Sequence, residues 1–166
     1  MVASADGVIA KDEKHNTFSW NSAEDKKHFR ELSKKIGTVI LGSNTFLAVK
    51  EQALKERNNI VLTRNPDKFR AQDFVAFMSG SPVEVVEELG KRGIHQAAVI
   101  GGATINGLFL QAGLVDDIYL TLEPKLFGKG LHLTEAVDLE TNLKLLSLEK
   151  LNDNGTLLLH YEVIKE

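Results

Sequence analysis

The chain has 166 residues, enough for one domain with a substantial core, and 43% hydrophobic against 26% charged residues is an ordinary globular balance. A net charge of −3 removes any general attraction to nucleic acid or anionic membrane, and no apolar run reaches the ~18 residues of a membrane span. With no cysteine there is no disulfide framework, thiolate nucleophile or cysteine metal site, and the five histidines lack metal-ligand spacing.

The first ten residues predict a short strand, an Asp6-Gly7 turn and a further apolar segment. They lack the basic-then-apolar layout of a signal peptide, so the expectation is a cytoplasmic protein with neither nucleic-acid nor membrane partners. Residues 11–19 are polar and without period, which predicts a mobile loop ending at Trp20, the single tryptophan. Asn21 or Ser22 can cap a helix to about Lys35, with Glu24 and Asp25 in its first turn, Phe29, Leu32 and Ile36 as its apolar stripe, and Gly37 as its stop.

Thr38–Gly42 reads as a buried strand running into Ser43-Asn44-Thr45, a set of helix-capping residues, and a short helix through Val49. Asn59–Thr63 is a second buried strand and Phe74–Phe77 a weaker one. Ser81-Pro82 opens a helix with Val85, Val86 and Leu89 on one face and Gly93 at its end. Ala97–Ile100 is a strand, Gly101-Gly102 a turn, and the helix behind them places Ile105, Leu108, Phe109 and Ala112 at apolar positions. Beyond residue 113 the pattern changes to alternating strands at 117–123, 143–151 and 156–164, with a glycine-marked loop at 126–130 and an Asp153-Asn154-Gly155 hairpin turn. The expected architecture is therefore α/β, a single domain over residues 1–166. Its central sheet is mostly parallel but mixed, flanked by helices and closed by a C-terminal antiparallel hairpin.

Three strands end in a small or polar cluster: Gly42-Ser43-Asn44-Thr45, Thr63-Arg64-Asn65 and Gly101-Gly102-Ala103-Thr104. Ligands of open α/β sheets bind at the carboxyl ends of strands, helix starts favour anions, and a guanidinium suits phosphate. The clusters together suit a ligand with separate phosphates, such as a dinucleotide, although neither G-x-G-x-x-G nor a Walker loop is present. A tight turn alone also explains Gly101-Gly102. Asp25, near Trp20 and one turn before Phe29, is a candidate proton donor, while the helix macrodipole accounts equally for an acid there. Arg57 reads either as an anchor for a ligand carboxylate or as a solvated arginine, and Thr121 as a hydrogen-bonding wall residue or as strand filler.

Taken together, Trp20-Asn21-x-x-x-Asp25-x-x-x-Phe29-Arg30, Val39-Ile40-Leu41-Gly42-x-x-Thr45-Phe46, Leu54-x-x-Arg57-x-Asn59-Ile60-Val61-Leu62, Val99-Ile100-Gly101-Gly102 and Ile118-Tyr119-Leu120-Thr121 resemble dihydrofolate reductase in order and spacing. The reductase domain of riboflavin biosynthesis shares that fold, and Ser4-x-Asp6-Gly7, Ser22-x-Glu24-Asp25 and Glu123-Pro124-x-Leu126-Phe127-Gly128-x-Gly130 look more like that branch. Either resemblance implies a dihydrofolate reductase-like fold and hydride transfer from a nicotinamide cofactor to a small heterocyclic substrate. It implies a catalytic set of Asp25, Trp20 and Thr121, with Phe29, Val49 and Arg57 on the substrate. It also implies NADPH held by Ile9, Gly42, Ser43, Asn44, Thr45, Thr63, Arg64, Gly101, Gly102, Ala103, Thr104 and Ile105.

The departures from dihydrofolate reductase are specific. Ser43 stands where a basic residue usually meets the cofactor 2′-phosphate, which shifts a preference for NADPH onto Arg64, and Asn106 replaces a usual tyrosine. The 9–20 loop is longer than typical and the first strand shorter. The expected reaction is the reduction of 7,8-dihydrofolate. The alternatives are a riboflavin-type reductase of a ribosylamino-pyrimidine phosphate and a silent ligand-binding relative, on a monomer or homodimer. The Asp-Asp-Pro loop usual in the riboflavin branch is missing, which favours folate.

Overall fold

The computed structural model describes residues 1–12, 15, 19–135 and 137–165. The predicted loop 11–19 therefore lies partly outside the described residues, at 13, 14 and 16–18. The elements are β1 (Val2–Ser4), β2 (Val8–Ala10), α1 (Ala23–Ile36), β3 (Thr38–Gly42), α2 (Ser43–Ala48), β4 (Asn58–Leu62), β5 (Val75–Met78), α3 (Pro82–Lys91), β6 (Ala98–Val99), α4 (Ala103–Gln111), β7 (Asp117–Glu123), β8 (Leu131–His132), β9 (Asn142–Lys150) and β10 (Leu157–Ile164).

The expected α/β architecture is present, with its strands divided by hydrogen bonding. One four-stranded sheet, ordered β5-β4-β3-β6, is wholly parallel. A second, ordered β1-β7-β10-β9, pairs β1 with β7 in parallel and adds β10 and β9 antiparallel. β2 and β8 form a separate antiparallel ribbon, missed from sequence because β8 is two residues inside a glycine-marked stretch. Gly130 permits this ribbon: a Cβ there would stand 2.3 Å from the Ala10 carbonyl oxygen.

The parallel sheet carries the main core. Ile40, Ile60, Val85, Leu89 and Phe109 form a cluster on one side, and Val39, Leu41, Phe46 and Val61 one on the other. Strands covered on both faces read as continuous apolar runs, which is why β3 and β4 were legible. The second sheet has two distinct faces. Register places Val2, Thr121 and Leu158 on one, and Ala3, Leu122 and Leu157 on the other. The first faces α1, whose His28 ring lies 5.9 Å from that of Tyr119. The second packs through Leu120 and Leu122 against Ala3, Ile9, Ala10 and Ala103.

The helix faces differ in part from expectation. In α3, Val85 and Leu89 are buried but Val86 is exposed, because residues four apart share a face and the intervening one turns away. The residues of α1 that are fully buried are Asp25 and Ser33, with the apolar stripe only half-buried. α4 buries Ala103, Asn106, Gly107 and Phe109 while Leu108 is exposed. Gly42 and Gly102 are the N-caps of α2 and α4, so Ser43-Asn44-Thr45 form the first turn of α2 and do not cap it.

Candidate active site

Asp25 is placed by the start of α1. Ser22 is the N-cap and its hydroxyl accepts the Asp25 amide at 3.2 Å, which turns the aspartate side chain inward from the first helical turn. Asp25 is 5% exposed, and the Asn21 side-chain amide donates to its Oδ2. Trp20 and Asn21 are buried beside it, and both Trp20 Nε1 and Asn21 Oδ1 are buried without a hydrogen-bond partner among the described residues. A buried donor and acceptor flanking a buried carboxylate are costly to leave unpaired, so they are positioned for a polar ligand or ordered water.

The start of α1 is fixed from the second sheet. Glu123, 3% exposed, accepts the Ser22 amide at 2.7 Å on one oxygen and the Thr156 hydroxyl at 2.8 Å on the other. Lys125 Nζ donates to the Trp20 carbonyl at 2.7 Å. Thr121, buried and two residues before Glu123, therefore points to the same side of β7 as the group holding α1. Asp6 ties down the neighbouring loop by accepting from the Ser4 hydroxyl and the Phe127 and Gly128 amides, and these bonds, the Ser4 hydroxyl foremost, lower its pKa. Phe127 in turn packs edge-on against Trp20 with ring centroids 5.0 Å apart. Glu123, Thr156, Lys125 and Asp6 received no functional role from sequence. An acid within an alternating apolar strand and an Asp-Gly turn were the available signals.

The three polar clusters meet at one edge of the parallel sheet. Register aligns Gly42 with Leu62 and Leu62 with Met78, and the Gly42 amide donates to the Gly101 carbonyl at 2.8 Å. Gly42–Thr45, Thr63–Arg64 and Gly101–Ile105 thus lie side by side, with Arg64 exposed. Backbone approach here is very close. A Cβ on Gly42 would lie 2.9 Å from Ile105 Cγ1, and one on Gly102 3.1 Å from Thr45 Oγ1. Gly101 has φ +113°, a conformation that side chains resist, and a cis peptide joins it to Gly102. Neither helix start behind these glycines carries a side-chain cap, so their first amides are left to other partners. This cradle fits the pyrophosphate of a dinucleotide. Ile9 packs beneath it with Ala103, while Ser43 and Thr45 are half-buried and Asn44 and Thr104 exposed.

The substrate candidates are less convergent. Phe29 is half-buried on α1, and Val49 ends α2 with its amide donating to Thr45 and Leu47 carbonyls. Arg57 is 6% exposed, its Nη1 donating to the Lys55 carbonyl at 2.9 Å and its Nη2 to the Arg30 carbonyl at 3.2 Å, with Nε unpartnered among the described residues. Burial lowers its pKa most, Arg30 adding to the effect and Glu56 opposing it. The guanidinium braces α1 against the entry to β4.

A model of the RibD C-terminal domain family matches residues 1–157. Among solved structures, a pyrimidine reductase-like protein of Corynebacterium diphtheriae is similar with a TM-score of 0.80 at 14% identity, over 99% of this chain and 90% of its own. A diaminohydroxyphosphoribosylaminopyrimidine deaminase/5-amino-6-(5-phosphoribosylamino)uracil reductase of Thermotoga maritima gives 0.77 at 19% identity, over 98% of this chain and 55% of its own. Dihydrofolate reductase of Enterococcus faecalis, complexed with NADP(H), gives 0.70 at 24% identity, over 99% and 94%.

Proposed function

The chain belongs to the RibD C-terminal domain family, and from that premise we propose that it is a nicotinamide-dependent reductase of a ribosylamino-pyrimidine phosphate. The observation that carries the reading is the family match across residues 1–157, which takes in every candidate site element. Of the two activities named for the Thermotoga protein, the reductase is the one this chain can supply. Zinc deaminases of bases hold their metal on histidine and cysteine, and the chain has no cysteine. Sequence spacing favoured dihydrofolate, and that remains the second reading, supported by the Trp20–Thr121 pattern and the likeness to a dihydrofolate reductase. Arg57 weighs against it, because two of its nitrogens already serve backbone carbonyls and little of it is open to a folate carboxylate.

A bound nicotinamide supplies hydride. The residues of the chain supply position, dryness and a proton. The glycine cradle and Arg64 hold the anionic cofactor, preference for NADPH resting on Arg64 because Ser43 carries no charge. A ribosylamine in its open imine form needs hydride at carbon and a proton at nitrogen. Asp25, fixed by Asn21 and Ser22, is the proton source, with Thr121 on the facing strand and Trp20 closing the site to water.

The test is loss of NADPH absorbance with 5-amino-6-(5-phosphoribosylamino)uracil and, separately, with dihydrofolate. Turnover of the first and not the second is expected; the reverse result would replace this reading with the folate one. Asp25→Asn should lower kcat/KM by about 10²–10⁴-fold with an unchanged circular dichroism spectrum. A change of only a few-fold would take proton delivery away from Asp25.

A further inference from the structure

Among the described residues, the hydrogen bond that reaches the Asp25 carboxyl comes from Asn21, whose Nδ2 donates to Oδ2. Both side chains are more than nine-tenths buried, Asn21 at 8% and Asp25 at 5% exposure. A donor aimed at a carboxylate favours the ionised form, and more strongly where water does not compete. The two ends of the Asn21 amide are used unequally. Nδ2 is engaged, while Oδ1 is buried without a partner among the described residues. Turning the amide over would set Oδ1 against the Asp25 oxygen, acceptor against acceptor, so an ionised Asp25 fixes Nδ2 inward.

We infer that Asn21 is a positioning residue acting through Asp25: its amide keeps the proton off Oδ2 and on Oδ1, and holds the carboxylate once the proton has left. This rests on the reading of Asp25 as the proton source and adds which oxygen delivers. A carboxylic acid has one O–H, and on Oδ2 it would meet the Asn21 N–H, donor against donor. Oδ1 is left to carry it. As hydride from the nicotinamide reaches the imine carbon, the Oδ1 proton passes to the imine nitrogen. The nicotinamide is oxidised, the imine becomes an amine, and Asp25 is left ionised with Asn21 still donating to Oδ2.

The anchoring on either side of Asn21 argues against a merely structural role. Lys125 Nζ donates to the Trp20 carbonyl at 2.7 Å, the Ser22 amide donates to Glu123 at 2.7 Å, and the Asn152 side chain donates to Glu24 at 3.0 Å. The backbone before and after Asn21 is thus held without its side chain. Other charges act on Asp25 through space. The buried Met1 amine at the start of β1 and His28 one turn along α1 both interact with it, Glu149 and Glu31 bear on His28, and Glu123 stands behind Ser22. Asn21 alone among these bonds to one oxygen and not the other.

The pH profile of kcat/KM for the full chain, with NADPH and 5-amino-6-(5-phosphoribosylamino)uracil, tests this. A proton source must hold its proton, so activity falls as pH rises through its titration. Asn21→Leu withdraws a donor from the ionised form, so the alkaline limb should move up by about one to two pH units. The plateau below it should fall about 10-fold, with KM for NADPH unchanged. Asn21→Gln, which keeps the amide, should restore part of both. Asn152→Ala loosens the same helix turn and should leave the limb in place. Carbon-13 NMR of the aspartate carboxyls reads the same upward displacement with no substrate present, the Asp25 signal being identified by its loss in Asp25→Asn. A wild type that turns over neither this compound nor dihydrofolate overturns the function proposed above, and the NMR titration then decides the role of Asn21 by itself. A midpoint in Asn21→Leu equal to that of the wild type overturns the inference, as does an equal displacement in Asn152→Ala. If circular dichroism shows Asn21→Leu unfolded, Asn21→Ala takes its place in both measurements.

Discussion

At Asp25 the two explanations open at the sequence level describe the same residue. An acid in the first turn of α1 favours the helix start, and the Ser22 cap that makes this turn also points the carboxylate into the molecule beside Asn21 and Trp20. One turn further on lies His28, which is half-buried. Its pKa is lowered, first by burial and then by the positive N-terminal amine, with Asp25, Glu149 and Glu31 pulling the other way. A histidine that is harder to protonate in the folded state contributes stability that is complete above its unfolded pKa near 6.5 and is lost as pH falls through the lower folded value. Urea midpoints of the wild type should therefore fall as pH drops below about 6.5. His28→Asn should flatten that part of the profile, and an unchanged slope would mean that another group carries it. Glu123 was the hardest residue to read in advance. It occupies an inward position of an alternating strand, where a carboxylate is tolerated only because the Ser22 amide and Thr156 hydroxyl meet it, and both partners are distant in sequence.

The elements were legible where local chemistry decides them. Ser22 and Gly37 bracket α1, and Ser81 with Pro82 opens α3 through a capping box to Glu84. They were misread where tertiary approach decides them: α2 and α4 begin on glycines without side-chain caps because the two loops pass within contact of each other. Helix α1 depends on β7 and the following hairpin in a way that can be measured. Removing the Glu123 carboxylate leaves a half-buried amide and a buried hydroxyl without their acceptor, and a buried group left so costs about 1–3 kcal/mol. Glu123→Ala should accordingly destabilise the fold by roughly 2–4 kcal/mol in urea unfolding. Glu123→Gln, which keeps one acceptor oxygen, should lose less. Equal losses would show that the charge and not the hydrogen-bond pattern holds the helix.

At the scale of the molecule, the parallel sheet and the C-terminal meander were readable because their strands differ in period: continuous apolar runs when covered on both faces, alternation when covered on one. The division of the strands between two sheets was not readable, since it depends on β6 being paired over only Ala98 and Val99. That division bears on function. The glycine cradle belongs to one sheet, whereas Thr121 and Glu123, which holds the start of α1, belong to the other, so a ligand reaching from cofactor to substrate position would tie the two together. Binding to the folded state alone at 100 times the dissociation constant adds about 2.7 kcal/mol, which for a chain of this size raises Tm by roughly 5–10 °C. NADPH should give such a shift, and NADH a smaller one at the same concentration, because Arg64 is the charged side chain of the three clusters available to the 2′-phosphate. Arg64→Ala should then bring the NADPH shift down toward that of NADH while leaving the NADH shift nearly intact. A parallel loss for both cofactors would place the 2′-phosphate elsewhere on the sheet edge and leave Arg64 a general phosphate contact.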